Sequence, residues 1–342
     1  MAQTLKKPRP GIKDVADRLD VSIMTVSRAL RGVEGVSQNT RKRVLQVAEE
    51  LGYKPNYNAR SLAGARSRLI GVSIPTLFDE VFAEILTVAR TALERSGFDL
   101  IIETSSYDLE SESVWVDRVL KWAPAGLIVT GVDHSPAAVE RLRDADIPIV
   151  EIWDYTNTPI DVCVGLDHEE AGRLAAQHLL DAGYRNACLV GILEDRDPRA
   201  EKRFASFARH FGAAGGVAVH RVDMQPSFEA GQAAVLKMEP AVRDGFDCFF
   251  FLNDHLAFGG LCALQALGVS VPDDVGVMGF NDLCINAVLP RPITTIATER
   301  DAMGNLAANR MLSRINGART PAATQVPVKI KLGATTVKAR GG

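Results

Sequence analysis

Within the first 66 residues, 13 lysines and arginines stand against 6 aspartates and glutamates, whereas the rest of the chain carries 26 against 36. The overall charge of −3 therefore hides a basic head on an acidic body. Such a head has the electrostatic footprint of a polyanion partner, and the body would be repelled from the same partner. Elsewhere the reactive side chains do not assemble. Cys163, Cys188, Cys248, Cys262 and Cys284 are scattered, with no CxxC pair and no histidines at zinc-ligand spacing. Small buried hydrophobes in a reducing compartment is the reading that fits them, with no metal and no disulfide. No GxGxxG, Walker A, GxSxG or HExxH sequence occurs. That absence argues against dehydrogenase, phosphotransferase and hydrolase chemistry, and the expectation is a binding protein that is not an enzyme and carries no cofactor.

The head must be built from short helices. Ile12, Val15, Ala16 and Leu19 form one apolar stripe, Asp20-Val21 breaks it, and Ser22 is placed to cap a second helix with Val26, Ala29 and Leu30 on one face. Ser37 caps a third, Thr40 to Leu51, with Val44, Val47, Ala48 and Leu51 inward, Arg41, Lys42 and Arg43 outward, and Gly52 as the stop. From Leu69 the chain alternates apolar runs with amphipathic stretches, the pattern of parallel sheets covered on both faces. Leu69–Ile74, Asp99–Glu103, Gly126–Thr130 and Ile147–Ile152 form a first set of strands. Cys163–Leu166, Ala187–Gly191, Val217–Val222, Cys248–Leu252 and Val275–Gly279 form a second. Two successive doubly wound sheets imply two lobes and a cleft, with ligands sought at the carboxyl ends of the strands. Hydrophobic residues at 46% and charged residues at 24% are too mixed for a membrane span.

The order DVADRLDVSIMTVSRAL closely resembles the helix-turn-helix signature of the lactose/galactose repressor family, and LIGVSIPT, VPDDVGVMGF and PITTI extend the likeness over nearly the full chain. Within that family, RSRLIGVSIPTLFDEVFAEIL and VEIWD look most like gluconate-type repressors. The resemblance implies an α/β architecture: an N-terminal three-helix helix-turn-helix head and hinge helix, then a periplasmic-binding-protein-like body of two doubly wound parallel-sheet lobes. The implied divisions are a DNA-binding domain at 1–54, a hinge at 55–66 and an effector-binding and dimerisation body at 67–342. The first lobe would take 67–164 and 294–320, and the second 165–293 and 321–342. The chain would cross between lobes near Gly165, near Pro290 to Thr295 and near Thr320.

In the family geometry the second helix enters the major groove. Ile23, Met24 and Arg28 then occupy base-reading places, while Ser22, Thr25 and Ser27 suit phosphates. Arg28 offers a fork to guanine O6 and N7, whereas Ile23 and Met24 can make only apolar contacts, so specificity should lean on Arg28. In the hinge, Asn56 would cap a short helix and Leu62 would wedge into the minor groove. Carrying over the effector positions gives Phe78, Val81, Phe82, Asp154, Arg199, Arg203, Phe228, Asn253, Asp254 and Asn281. Ser206 stands where the family usually has glycine. Asn281 stands where many members place an aspartate. A neutral donor there, with two arginines, suits a carboxylate ligand, so a sugar acid such as gluconate or a ketogluconate is expected, with a neutral sugar as the alternative.

The implied partners are pseudo-palindromic operator DNA, a small-molecule effector and a second copy of the chain, as a homodimer or tetramer, with no membrane. Either sign of response, induction or corepression, fits the sequence. A solute-binding protein of a transport system would share the body but should begin with a secretion signal. The N-terminal sequence does not read as one, so a cytoplasmic location is expected.

Overall fold

The computed structural model describes residues 10–31, 34–53, 67–191, 197–216, 218–223, 227–243 and 245–337. They fall into two compact units, Met1–Ser67 and Arg68–Gly342. The described part of the first unit holds α1 (Ile12–Leu19), α2 (Ile23–Arg31) and α3 (Gln38–Glu50). Val15, Ala16, Val26, Ala29, Val44 and Ala48 close on one another as its core. Asp20 adopts φ 53, which turns the chain sharply between α1 and α2. Ser37 accepts the Thr40 N–H at 3.1 Å, so α3 starts directly after its cap at Gln38, two residues before the expected start.

In the second unit, β1 (Leu69–Ile74), β2 (Asp99–Thr104), β3 (Gly126–Thr130), β4 (Ile149–Asp154) and β5 (Val162–Leu166) share a sheet with β11 (Ala323–Gln325). Its strand order is β11-β5-β4-β3-β1-β2. The other sheet contains β6 (Asn186–Gly191), β7 (Ala218–Asp223), β8 (Cys248–Phe251), β9 (Gly276–Asn281), β10 (Thr294–Thr298) and β12 (Val328–Lys331), in the order β12-β10-β9-β8-β6-β7. Among the described residues only the β10–β12 pair is antiparallel. The covering helices are α4 (Glu80–Arg95), α5 (Leu109–Leu120), α6 (Pro136–Asp144), α7 (His168–Asp181), α8 (Pro198–Ala213), α9 (Phe228–Arg243), α10 (Asp254–Ala266) and α11 (Arg300–Ile315).

Two expectations are corrected here. The run Cys163–Leu166 pairs with β4 and belongs to the first sheet, not the second set. The last two crossings also fall a strand later than expected. Thr294–Thr298 pairs with β9 in the second sheet, and Ala323–Gln325 pairs with β5 in the first. The returns therefore lie between Thr298 and α11, which packs on α4, and between Gln325 and Val328. Every residue of β10 is buried, and the strand lies between β9 and β12 in the second sheet.

The helix that will matter most is α8. Phe204, Phe207 and Phe211 anchor it, with Phe207 stacked on Phe250 of β8 at a centroid separation of 5.2 Å. Against α7 it approaches closely: a Cβ on Gly172 would lie 2.1 Å from the Arg203 carbonyl oxygen. Gly172→Ala must push α8 outward. Overpacking of this kind costs about 1–3 kcal/mol. The expected result is a melting temperature lower by several degrees together with weaker ligand binding, read by thermal denaturation and titration. An unchanged melting curve would contradict this packing account.

Candidate functional site

In the head, Ser22 caps α2, its Oγ accepting the Thr25 N–H at 3.0 Å and sharing a hydrogen bond with the Thr25 hydroxyl at 2.9 Å. The cap fixes where α2 begins, and Val26 and Ala29 turn inward from it. Ile23 and Met24 remain 48% and 61% exposed, outside the core cluster, with Arg28 also exposed and Thr25 and Ser27 half-buried. An exposed apolar pair beside an exposed guanidinium on one short helix is a surface built to be covered. Asn56 and Leu62 lie outside the described residues.

In the body, the first turn of α8 carries Arg199, Lys202 and Arg203 at i, i+3 and i+4, on one face. Asp197 caps it through the Arg199 N–H at 3.2 Å and also accepts from Arg199 Nε at 2.8 Å. Burial opposes the Asp197 charge, yet Arg199 and Arg203 hold its carboxyl below the usual range. The Arg199 guanidinium lies 5.5 Å from the centre of the Tyr107 ring. Arg203 is 3% exposed, and its Nη1 donates to His168 Nδ1 at 2.7 Å. That donation assigns the His168 proton to Nε2, and burial keeps the ring neutral by pushing its pKa well below the ordinary value of 6.5. The Arg203 guanidinium also lies 4.1 Å from the centre of the Phe280 ring. Among the described residues no carboxylate forms an ion pair with Arg203, and its Nε is buried without a partner. Burial pulls this guanidinium down to about 10. Nearby, Asn281 at φ 106 presents a buried Oδ1 that also lacks a partner.

Asp197, Arg199, Arg203, Tyr107 and Asn281 line a narrow cavity of about 30 Å³, walled by Phe82, Trp153 and Phe280. It shares Asp79, Tyr107 and Asn253 with a wider one of about 520 Å³ that is edged by Thr76, Phe78, Ser106 and His255. The deep end thus offers buried cations and the outer end hydroxyls and ring edges. That is an arrangement able to hold a small polar molecule.

Residues 11–56 match the description "Bacterial regulatory proteins, lacI family", and residues 176–336 match "Periplasmic binding protein-like domain". The chain is 33% identical over 314 residues to the HTH-type transcriptional regulator GntR of Escherichia coli K12, covering 92% of this chain and 94% of that one. This chain belongs to the lacI family. It is similar also to the GntR regulator of Pseudomonas aeruginosa, 34% identical over 312 residues and 90% of each chain. A crystal structure of a LacI-family transcriptional regulator from Silicibacter pomeroyi superposes with a TM-score of 0.89 at 35% identity, covering 96% of this chain and 100% of that one. The protein is a DNA-binding transcriptional regulator of this family, with the helix-turn-helix and two-lobed body read from its sequence. Among the described residues no helix is long and apolar enough to cross a membrane.

Of the effector positions carried over within this lacI-family chain, Phe82, Arg199, Arg203, Asn253 and Asn281 line the narrow cavity and Phe78 the wide one. The others are placed differently. Val81 is fully buried in the hydrophobic core. Asp154 is taken up by Lys202 at 2.5 Å. Asp254 accepts from the Thr295 hydroxyl at 2.7 Å and the Leu283 N–H at 2.8 Å, so the fold itself uses both of its oxygens. Phe228 packs edge-on against His255 and Phe258 and lines neither cavity. Tyr107, Trp153, His168, Asp197 and Phe280 were not foreseen. The Asp-Pro pair before Arg199 is a helix-start signal that could have flagged Asp197.

Two buried groups make stability fall as pH rises. Burial lifts Asp254 from 3.8 to about 7. Burial opposes charge on His134, but a hydrogen bond to Glu112 and the Glu151 carboxylate 3.5 Å away outweigh it and raise His134 from 6.5 to about 9. In both cases folding favours the protonated form. The Asp254 contribution is complete below 3.8 and lost as pH rises through about 7, and that of His134 is complete below 6.5 and lost through about 9. Through these two groups the melting temperature is therefore expected to fall between about pH 4 and 9, with Asp254→Asn flattening the part below about pH 7. An equally steep curve for Asp254→Asn would remove Asp254 from the account.

Proposed function

We propose that this regulator binds a sugar acid, such as gluconate or a ketogluconate, in the cleft between its lobes, and that occupancy there changes the affinity of the head for operator DNA. The observation that carries the ligand class is Arg203, a buried guanidinium with no carboxylate of its own among the described residues. A buried cation with no ion-paired carboxylate is unfavourable even with the Asp197 charge nearby, and a ligand carboxylate relieves it through paired, charge-assisted hydrogen bonds. Asn281 and Asp197 suit the hydroxyls, Tyr107 and Phe280 the carbon skeleton. On the DNA side, Arg28 reads guanine while Ile23 and Met24 contact thymine methyls, with Ser22, Thr25 and Ser27 on phosphates. Two copies related by a two-fold axis place two such helices on a pseudo-palindrome, with Asn56 and Leu62 in the hinge between head and body.

Calorimetric titration of the full chain with gluconate, 2-ketogluconate and glucose tests the ligand class. Heat with the acids and none with glucose is the expected outcome. Binding to glucose alone would overturn the acid reading while leaving the DNA-binding role in place.

A further inference from the structure

Lys202 shares its helix face with Arg199 and Arg203 but behaves differently. Their hydrogen bonds stay within the second lobe, to Asp197 and His168. Lys202 reaches into the first lobe, where its Nζ donates to Asp154 Oδ2 at 2.5 Å and to Asp133 Oδ2 at 2.9 Å. Asp154 ends β4 and Asp133 follows β3, so one ammonium bridges the carboxyl ends of two neighbouring strands from across the cleft. The two acceptors differ in burial: the Asp154 side chain is 2% exposed and that of Asp133 is 47% exposed.

We propose that Lys202 is a charge latch between the lobes, neutralising Asp154 so that the cleft can close before any ligand is bound. The asymmetry in burial carries the argument. The Asp133 contact is a surface ion pair and contributes little. Asp154 is a carboxylate removed from water, and among the described residues its remaining partner is the Tyr155 N–H at 2.8 Å. A carboxylate so placed without a counter-charge is heavily penalised. With the lobes apart, water solvates Asp154; with them together, Lys202 must. Closure is thus conditional on a lysine that touches no part of the narrow ligand cavity. A further contact across the cleft, between the Glu80 carboxylate and the Cys284 N–H at 3.0 Å, is exposed and holds no buried charge. The latch assigns Asp154 to closure instead of ligand contact. It also sets the lobe equilibrium that an effector must then shift by its differential affinity.

The inference rests on the two-lobed regulator reading but not on the effector being an acid. Hydrogen exchange of the ligand-free full chain, followed on segments 131–135 and 153–157, tests it. Lys202→Met strands Asp154 and is expected to open the cleft, raising exchange there by about tenfold or more. The double variant Lys202→Met with Asp154→Asn removes both charges and is expected to return exchange to within about twofold of wild type, because a neutral amide no longer needs a counter-ion. Unchanged exchange in Lys202→Met, or a double variant as fast as the single, would overturn the latch, the second result showing that Lys202 merely packs. Should Lys202→Met fail to fold, Lys202→Gln is read by the same criteria. No sugar is added, so a regulator that proved to prefer neutral sugars would leave this result standing.

Discussion

Replacing Arg203 by methionine is expected to weaken binding of an acid sugar by about 100-fold, the effect of leaving one member of a buried charge pair unpaired at roughly 2–5 kcal/mol. Methionine keeps most of the stem's volume against Phe280, so the loss isolates the guanidinium. A neutral analogue should bind within about threefold of its wild-type affinity, since nothing on it needs a counter-charge. In the ligand-free protein two effects oppose each other. Removing a buried cation that lacks an ion pair is stabilising, while His168 Nδ1 loses its donor, which costs about 1–3 kcal/mol. The melting temperature should therefore move by only a few degrees while acid affinity collapses. Arg203→Lys keeps the charge but not the planar fork and should fall between wild type and Arg203→Met. Arg199→Met should do less harm, because Arg199 already has Asp197 at 2.8 Å. Undiminished acid binding by Arg203→Met would remove the ligand reading at its root.

Much of this was legible because the local signals are strong. Ser22 and Ser37 mark helix starts by a chemistry that needs only the next three residues. The run Leu-Ile-Gly-Val-Ser-Ile, with three β-branched residues and entirely within β1, reads as a strand from its own residues. Sheet membership is another matter. The stretch Thr-Thr-Ile-Ala-Thr is a strand by its own residues, but its choice of β9 as neighbour depends on residues before and after the crossing. The return to the first lobe was therefore misplaced by a strand. The same limit applies to the acids. Family position marked Asp154 and Asp254 as ligand groups, yet Lys202, Thr295 and the Leu283 amide reach them from distant parts of the chain. Tyr107 and Trp153 became visible only when the fold brought the ends of β2 and β4 beside α8.

Arg28→Ala should erase most discrimination between the operator and a scrambled duplex. Arg28 is the exposed, multi-donor side chain among the three positions proposed to read bases, and Ile23 and Met24 cannot tell G·C from C·G. A bidentate guanine contact supplies about 1–3 kcal/mol of discrimination. A dimer makes it at both half-sites, so the loss approaches about 2–6 kcal/mol, or some 30-fold to more than 10,000-fold in relative affinity. Competition mobility shifts at one fixed salt concentration, using matched palindromes and palindromes altered at the guanine, provide the ratio. Arg28→Lys separates charge from geometry: it should retain the salt dependence of wild type yet lose the preference, because an ammonium makes a phosphate-like contact without the fork. Thr25→Ala, which removes a proposed phosphate contact, should weaken matched and altered duplexes alike. The head is otherwise undisturbed in the Arg28 variants, since Arg28 lies outside its core cluster and Ser22 still caps α2, whereas Thr25→Ala also gives up the hydroxyl bond to Ser22 at 2.9 Å. If Arg28→Ala kept the wild-type preference ratio, the face of α2 that meets the bases would have to be another one.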